Sequence, residues 1–260
     1  MLKFLLPKSA VKAVTQAVSA IFKRAKTRFL GHKFGENSIR IGSNLTAADH
    51  REDLSLKGIF NAAAKSEGMV PNEKLYESVE RSVEEYLDAH EKLATARVLH
   101  GVQSYLHNAE SGSGAINPDE LEEVLDDAFE KVKGDVVKVV DTESTRARNV
   151  STLDAVSKIN ATLGVTDPTI AFVGPNDSHT CSECLRMFFM SDQVTPKTWK
   201  MSQVRHSYFK KGDDTPCVAG CHCFCRHSLI TILPGYGFVQ GSLSYIEPGF
   251  DIYQEQQKKL

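Results

Sequence analysis

The sequence predicts an α+β protein with a mostly helical N-terminal body and a small C-terminal α/β module. Apolar residues recur at helical spacing through most of the chain up to Leu163, and two short β-rich runs follow, at residues 169–173 and 228–233. All six cysteines lie between Cys181 and Cys225, so they belong to the module alone. The body and the module are therefore expected to be stabilised in different ways.

Residues 1–35 are expected to form a basic amphipathic helix that serves as a tether. They carry eight Lys and Arg residues and no Asp or Glu, although the whole chain has a net charge of -2. Apolar residues from Leu6 to Phe29 recur at helical spacing between the basic ones. Such a helix can bind nucleic acid, lie on a membrane, dock on a partner, act as a transit peptide, or pack on its own protein with a solvated basic face. The chain is not expected to span a membrane, because no apolar run approaches the roughly 20 residues required.

A helical region is predicted over residues 45–110. Gly and Asn residues at positions 35–44 indicate a linker before it. Within the region, the spacing of apolar residues predicts a short helix over 47–65 and a long helix over 71–106. A Ser- and Gly-rich stretch then ends the long helix.

A further long helix is expected to begin after Asn117. The sequence Asn117-Pro-Asp-Glu120 combines an N-cap residue, a proline in the first turn and acids that favour the positive end of the helix dipole. Helical spacing continues to Leu163, and Gly164 then ends the helix. Residues 241–260 are expected to form a C-terminal tail, which is loose and polar from Gln254 to Leu260.

The clustered cysteines predict a structural metal site. Cys181 and Cys184 are separated by two residues, and a tight turn at this spacing can place both sulfurs on one ion. His222 and Cys225 repeat the spacing, so we expect one Zn2+ with four ligands: Cys181, Cys184, His222 and Cys225. The C-terminal module, about residues 169–234, is thus expected to be zinc-stabilised. The alternatives for the downstream ligands, which also permit a second metal, are Cys217, Cys221, Cys223 and His227.

A catalytic zinc is the alternative from another functional class. It would keep one coordination position open beside a titratable acid, for which Glu183 and Asp177 are the candidates. The zinc deaminases combine His-x-Glu with Pro-Cys-x-x-Cys, and this chain has neither the order nor the spacing of that signature. A zinc-dependent nucleic-acid-acting enzyme or toxin domain therefore stays as the alternative function.

Three motifs occur in a fixed order along the second half of the chain. They are Asp141-Thr-Glu-Ser-Thr-Arg-Ala-Arg-Asn149, Asn176-Asp177-Ser-His179-Thr-Cys181-Ser-Glu-Cys184 and Gly220-Cys-His222-Cys-Phe-Cys225-Arg-His227. In order and spacing they resemble the phage Mu F-like minor head proteins of the phage head morphogenesis family, over about residues 115 to 234. The chain departs from that pattern in three extra cysteines, and Met187-Phe-Phe-Met190 stands near the position where the family usually has an Asp-Gly turn.

The resemblance implies a head-protein domain over residues 115–240 and a virion protein without enzymatic activity. Such a protein is present in few copies, contacts the portal protein or the major capsid protein at the capsid interior, and assists head assembly. Its expected location is the phage head, and the host cytoplasm during assembly. Packaged DNA is a further expected partner, through the basic N-terminus, and no small-molecule substrate is expected.

The resemblance also gives Glu143 a role. It implies that this carboxylate pairs with Arg146 or Arg148, or caps backbone groups of the zinc module. The alternative is an exposed helical glutamate with a neighbouring arginine, which would contribute about 0.2–0.5 kcal/mol.

Overall fold

The computed structural model describes residues 6–30, 55–112 and 116–259. Within these residues the protein is mixed helix and sheet, as the sequence predicted. The helices are α1 (Lys8–Phe29), α2 (Leu56–Ser66), α3 (Glu73–Gly112), α4 (Pro118–Thr162), α5 (Ser182–Phe188) and α6 (Ile252–Gln257). The strands are β1 (Thr169–Val173), β2 (Thr198–Lys200), β3 (Ser228–Ile232), β4 (Tyr236–Val239) and β5 (Ser242–Tyr245). The linker expected at 35–44 and the expected helix start at residue 47 lie outside the described residues.

The chain divides into two compact units. One is formed by Met1–Ile39 with Ser78–Val140, and the other by Arg40–Glu77 with Asp141–Leu260. The boundary near residue 115 that the sequence predicted is thus displaced into α4, which contributes residues to both units. Because α4 is continuous over 45 residues, its apolar periodicity carries no sign of this boundary.

The first unit is helical, and α1 packs within it through its apolar face. Val18, Phe22 and Phe29 are almost fully buried, and the buried Leu6 belongs to a cluster that also contains Leu106 of α3. On the same helix, the Lys26 ammonium pairs with two carboxylates of α3, those of Asp88 and Glu91. Of the alternatives that the sequence left open for α1, packing on its own protein is therefore the one observed for the apolar face.

The predicted start of α4 is confirmed. The Asn117 side-chain oxygen accepts a hydrogen bond from the Asp119 amide at 3.0 Å, and Pro118 is the first helical residue. At the other end, Gly164 has a φ of 73°, the left-handed conformation that commonly ends a helix. Among the described helices, none is both long enough and apolar enough to cross a bilayer.

The second unit contains a three-stranded antiparallel sheet in the order β2-β1-β3. The central strand β1 is covered on both sides, since Ile170, Ala171 and Phe172 are fully buried. Phe172 stacks on Phe188 of α5 at a centroid distance of 4.8 Å, whereas Ala171 packs in a cluster with Ile252 of α6. The two β-rich runs of the sequence correspond to β1 and β3.

Residues 241–259 form structure in place of the expected polar tail. Strands β4 and β5 make a hairpin, and both residues between them, Gln240 and Gly241, have positive φ as a tight hairpin turn requires. Helix α6 follows and is held by the buried Gln256, whose side-chain oxygen accepts hydrogen bonds from the Thr198 amide and hydroxyl, both at 2.8 Å. The contact is made by a polar residue, so a search for apolar periodicity does not detect it.

Candidate metal centre

The first two cysteines, Cys181 and Cys184, lie at the start of α5, and the turn that contains them is called the first knuckle. Cys181 is the residue before the helix, and its Sγ accepts a hydrogen bond from the Cys184 amide at 3.4 Å, in the place where Ser or Asp usually caps a helix. The turn therefore brings the Cys181 and Cys184 sulfurs within 4.8 Å of each other.

The second cysteine element, residues 217–227, lies against the first knuckle. Cys184 Sγ lies 3.2 Å from His222 Nε2 and 3.9 Å from Cys225 Sγ. Metal–ligand bonds of a tetrahedral zinc site imply separations of about 3.8 Å between two sulfurs and about 3.6 Å between a sulfur and a nitrogen. The two observed distances are close to those of ligands that share one ion.

Five residues form two overlapping ligand groups. Cys181, Cys184 and His222 have ligand atoms within 4.8 Å of one another, and so do Cys184, Cys225 and His227. All four predicted ligands lie in these groups and His227 is the fifth member, although no single group in the described part of the chain contains the four together. The cluster as a whole is able to bind a metal ion, with Cys184 common to both groups.

The ring of His222 is oriented for metal binding. Its Nδ1 lies 2.5 Å from the Cys223 carbonyl oxygen. Because a carbonyl can only accept, Nδ1 carries the hydrogen, and the lone pair of the neutral ring is on Nε2, toward Cys184. A backbone carbonyl behind a ligand histidine is a common way to fix its tautomer and orientation.

His227 lies deeper than His222. Its side chain is 3% exposed and contacts the rings of Phe188 and Phe189 at 4.9 Å and 5.7 Å. Its Nδ1 is 3.8 Å from Cys225 Sγ, and its Nε2 has no hydrogen-bond partner among the described residues. The ring is thus held at the edge of the cluster with Nδ1 as its ligand atom.

Neighbouring thiols and burial raise the pKa of two cysteines of the cluster, Cys184 and Cys225. The pKa of Cys184 is raised far above its ordinary value, first by the hydrogen bond with the Cys221 thiol and also by burial. The pKa of Cys225 is raised to about 12 by its contact with the Cys184 sulfur and by burial. A bound divalent cation would reverse this preference, because it stabilises the thiolates directly.

The surplus cysteines have separate positions. Cys217 is buried outside both ligand groups, and its thiol donates a hydrogen bond to the Gly220 carbonyl at 3.2 Å. Cys221 is adjacent to Cys184, and Cys223 contributes its carbonyl to the His222 ring. Both ligand groups of three found in the described residues include Cys184.

One face of α4 supports the second cysteine element. Asp141, Thr145 and Asn149 are spaced four residues apart, so they share that face. Asp141 accepts a hydrogen bond from the Phe224 amide at 2.6 Å. Asn149 donates to the Val218 carbonyl at 2.8 Å and accepts from the Leu229 amide at 3.3 Å. The motif at 141–149 therefore holds both flanks of the element and the turn within it.

Glu143 is fully buried and paired. Its Oε2 accepts from Arg146 Nε at 2.7 Å, and its Oε1 accepts from the Tyr208 hydroxyl at 2.5 Å. A buried charge requires both a counter-charge and hydrogen bonds, and Glu143 has each. The expected Arg146 pair is present, and the alternative of an exposed glutamate is wrong. Tyr208 was not predicted because it comes from a loop 65 residues further along the chain.

Both acids of the enzymatic alternative are engaged in ion pairs. Glu183 pairs with Arg186 at 2.8 Å. Asp177 binds both terminal nitrogens of Arg226, at 2.8 Å and 2.5 Å, and this guanidinium holds the pKa of Asp177 well below its ordinary value. Since Asp177 precedes the first knuckle and Arg226 follows Cys225, the pair joins the two cysteine segments.

Comparisons of the chain with protein-family models, with curated proteins and with solved structures gave no match. The resemblance to the Mu F-like minor head proteins therefore depends on the three motifs themselves. The structure brings those motifs together in the second unit. The motif at 141–149 forms hydrogen bonds to the second cysteine element, which contains the third motif. Cys181 and Cys184 of the second motif form ligand groups with residues of the third.

Proposed function

We propose that this chain is a phage minor head protein of the Mu F-like kind, without enzymatic activity, in which one zinc ion is structural. It acts in head morphogenesis, in contact with the portal protein or the major capsid protein at the capsid interior. It is present in the virion and, during assembly, in the host cytoplasm. The observation that carries the proposal is the convergence of the three motifs on one cluster supported by Asp141 and Asn149.

The donor atoms favour zinc over other common cations. Thiolate and imidazole ligands suit Zn2+, whereas Mg2+ and Ca2+ prefer oxygen. We assign the ligands to Cys181, Cys184, His222 and Cys225, because Cys184 Sγ lies at ligand-like distances of 3.2 Å from His222 Nε2 and 3.9 Å from Cys225 Sγ. The alternative assignment replaces His222 with His227.

Single substitutions distinguish the two assignments. His222→Ala is expected to lower zinc affinity at least about 100-fold, because it removes a ligand, whereas His227→Ala keeps the four ligands and changes affinity by about 10-fold or less. Competition with a zinc chelator of known affinity measures both variants. The reverse order of effects would assign His227 in place of His222.

The ion pairs at Glu183 and Asp177 support a structural site. A general acid or base must be free to exchange a proton with a substrate, and these two carboxylates face Arg186 and Arg226 instead. A zinc-dependent nuclease would lose activity on Glu183→Gln while keeping its metal. Incubation of the zinc-loaded chain with DNA and RNA, followed by gel analysis, tests this: cleavage by the wild type but not by the variant would overturn the proposal.

The head function is tested in phage particles. If the proposal holds, the gene lies beside terminase and portal genes, and purified heads contain a few copies of the chain. Cys184→Ser is expected to abolish incorporation because it removes a ligand, whereas Cys217→Ser, outside both ligand groups, is expected to be incorporated. Heads that lack the wild-type chain would contradict the proposal.

A further inference from the structure

The exposed face of α1 is basic and free of acids. Lys8, Lys12, Lys23, Arg24 and Arg28 are all exposed. Within the described part of the chain none of them forms an ion pair, in contrast to Lys26 on the same helix. Since residues 1–35 contain no Asp or Glu, these charges are not compensated along the helix itself. Five cations thus stand in solvent along a helix of 22 residues.

The polar residues between these cations are also suited to phosphate. A row of hydrogen-bond donors follows the helix at spacings of three and four residues, which place side chains on one face: Lys12, Gln16, Ser19, Lys23 and Thr27. Lys, Arg, Ser, Thr and Gln side chains are the donors that proteins use to contact the nucleic-acid backbone. From Lys8 to Arg28 the basic face is about 30 Å long, given a rise of 1.5 Å per residue. The face therefore offers donors over a length comparable to one turn of a DNA duplex.

The opposite face of α1 is already occupied. Val18, Phe22 and Phe29 are almost fully buried in the first unit. A helix that binds a membrane surface inserts its apolar face between the lipids, and that face is not accessible in this fold. A phosphate backbone requires only the polar face, which is the face left exposed.

A second charged surface of the first unit is acidic. The first turns of α4 carry a shallow acidic depression lined by Asp119, Glu120, Glu122, Glu123 and Asp126. Negative charge of this kind repels phosphate, whereas the α1 face attracts it. Of these two charged surfaces, phosphate is thus expected to bind the α1 face.

We propose that the exposed face of α1 binds the phosphate backbone of duplex DNA without sequence preference. The choice of duplex DNA rests on the proposed head function, because packaged DNA is the polyanion inside a phage head. The binding itself depends only on the five cations and their spacing. It can therefore be measured on the purified chain, separately from incorporation into heads.

The test uses the zinc-loaded full chain and a short fluorescent DNA duplex of arbitrary sequence. Binding is measured by anisotropy over a series of salt concentrations. Each phosphate neutralised contributes about -0.9 to the slope of log K against log salt, so five contacts predict a slope of about -4.5. The wild type should then lose about 500-fold in affinity between about 50 and about 200 mM salt.

The variant Lys12→Gln, Lys23→Gln, Arg24→Gln removes three of these cations while keeping a good helix former at each position. Its slope should fall to about -1.8, and its affinity at low salt should decrease correspondingly. The control is Arg81→Gln, Lys92→Gln, Lys131→Gln, which removes the same charge from exposed positions of α3 and α4 in the same unit. The control is expected to bind like the wild type.

Three results would overturn the inference. They are wild-type binding with no salt dependence, an equal loss of affinity in the control, and tight binding to vesicles of anionic lipid that displaces the DNA. Circular dichroism of both triple variants confirms that the helices remain folded. Absence of DNA binding by a chain that is still incorporated into heads would contradict this inference and leave the head function standing.

Discussion

Cys184 is the residue that the two halves of the metal centre share. Its Sγ contacts His222 Nε2 and Cys225 Sγ, and its amide donates to Cys181 Sγ. Each half of the centre comes from a different segment of the chain, and the Cys184 sulfur contacts the second segment at two ligand positions. At the scale of single residues, Cys184 is therefore the most sensitive position of the site.

Cys184→Ser is predicted to remove the metal. Serine is a poor zinc ligand, so the zinc content should fall from about one ion per chain to near zero. Cys217→Ser is the matched control: it is also a buried cysteine, but its thiol only donates to the Gly220 carbonyl, and a serine hydroxyl can do the same. Elemental analysis of the two purified variants checks the prediction. Equal zinc contents in both would rule out the ligand role of Cys184.

Gly220→Ala is predicted to disturb the centre through Cys225. Gly220 has a φ of 78°, and an added Cβ would lie 2.7 Å from the Cys225 Cβ and 3.0 Å from its Sγ. The left-handed conformation costs an alanine about 1–2 kcal/mol, and the overlap adds about 1–3 kcal/mol.

Gly164→Ala is the control for Gly220→Ala, because it measures the cost of the left-handed backbone conformation without the overlap with Cys225. Gly164 has a nearly equal φ of 73°, with no described atom within 4 Å of the added Cβ. Thermal unfolding with and without a chelator is the measurement. If the two variants lose the same stability and keep the same zinc affinity, the proposed contact with Cys225 is wrong.

At the scale of elements, α4 is the support of the metal centre. Asp141 and Asn149 hold the segment that contains Gly220, His222 and Cys225 by three hydrogen bonds. All three are contacts between a side chain and a backbone group. Helix α4 therefore fixes the backbone path of the second cysteine element. It places less constraint on which side chains that element carries.

Asn149→Ala is predicted to destabilise the second unit by about 2–4 kcal/mol, because the Val218 carbonyl and the Leu229 amide lose a buried partner. Zinc affinity should fall as well. Asn160→Ala is the control on the same helix, since its side chain bonds only the Val156 carbonyl, which the helix already satisfies, and it should cost about 1 kcal/mol with unchanged zinc affinity. Denaturant unfolding and chelator competition give both quantities. An unchanged affinity in Asn149→Ala would argue against the supporting role of α4.

Elements with a regular pattern were predictable, and short elements with polar contacts were not. The helix start at Asn117 follows from cap chemistry, and β1 and β3 follow from β-rich runs. Strand β2 has three residues, too few for periodicity, and α6 is held by the amide of Gln256. The unit boundary inside α4 has no local signal, because it arises from which residues meet in space.

The ligand residues of the candidate site were predictable from the sequence, whereas the residues that pack around them were less so. Cysteine spacing alone points to Cys181 and Cys184, because a tight turn brings these positions together. Spacing favours His222, which repeats the two-residue interval with Cys225. It does not show that His227 also lies in the cluster, where its ring packs on Phe188 of another element. The partner of Glu143 on its own helix was predictable, whereas Tyr208 was not, because only the fold brings its loop to α4.

For the whole molecule, the dependence of stability on the metal is predicted to be confined to one unit. The first unit is formed by helices with an apolar core that contains Phe22, Leu106 and Val132. The second unit contains every cysteine and short strands of three to five residues. A structural zinc contributes folding free energy only to the part that holds it.

Removal of zinc by a chelator is predicted to unfold the second unit locally and to leave the first unit folded. Hydrogen exchange should accelerate in β1, α5 and β3, whereas amides of α3 and α4 between residues 78 and 140 should keep their protection. The measurement is exchange mass spectrometry of the full chain with and without chelator. Unchanged exchange throughout would mean that the module folds by burial alone.

The structural zinc site is tested by the zinc content of the full chain purified without added metal. We predict about one zinc ion per chain by elemental analysis, since both ligand groups include Cys184. A content near zero would contradict a structural zinc site, and a content near two would contradict a single centre.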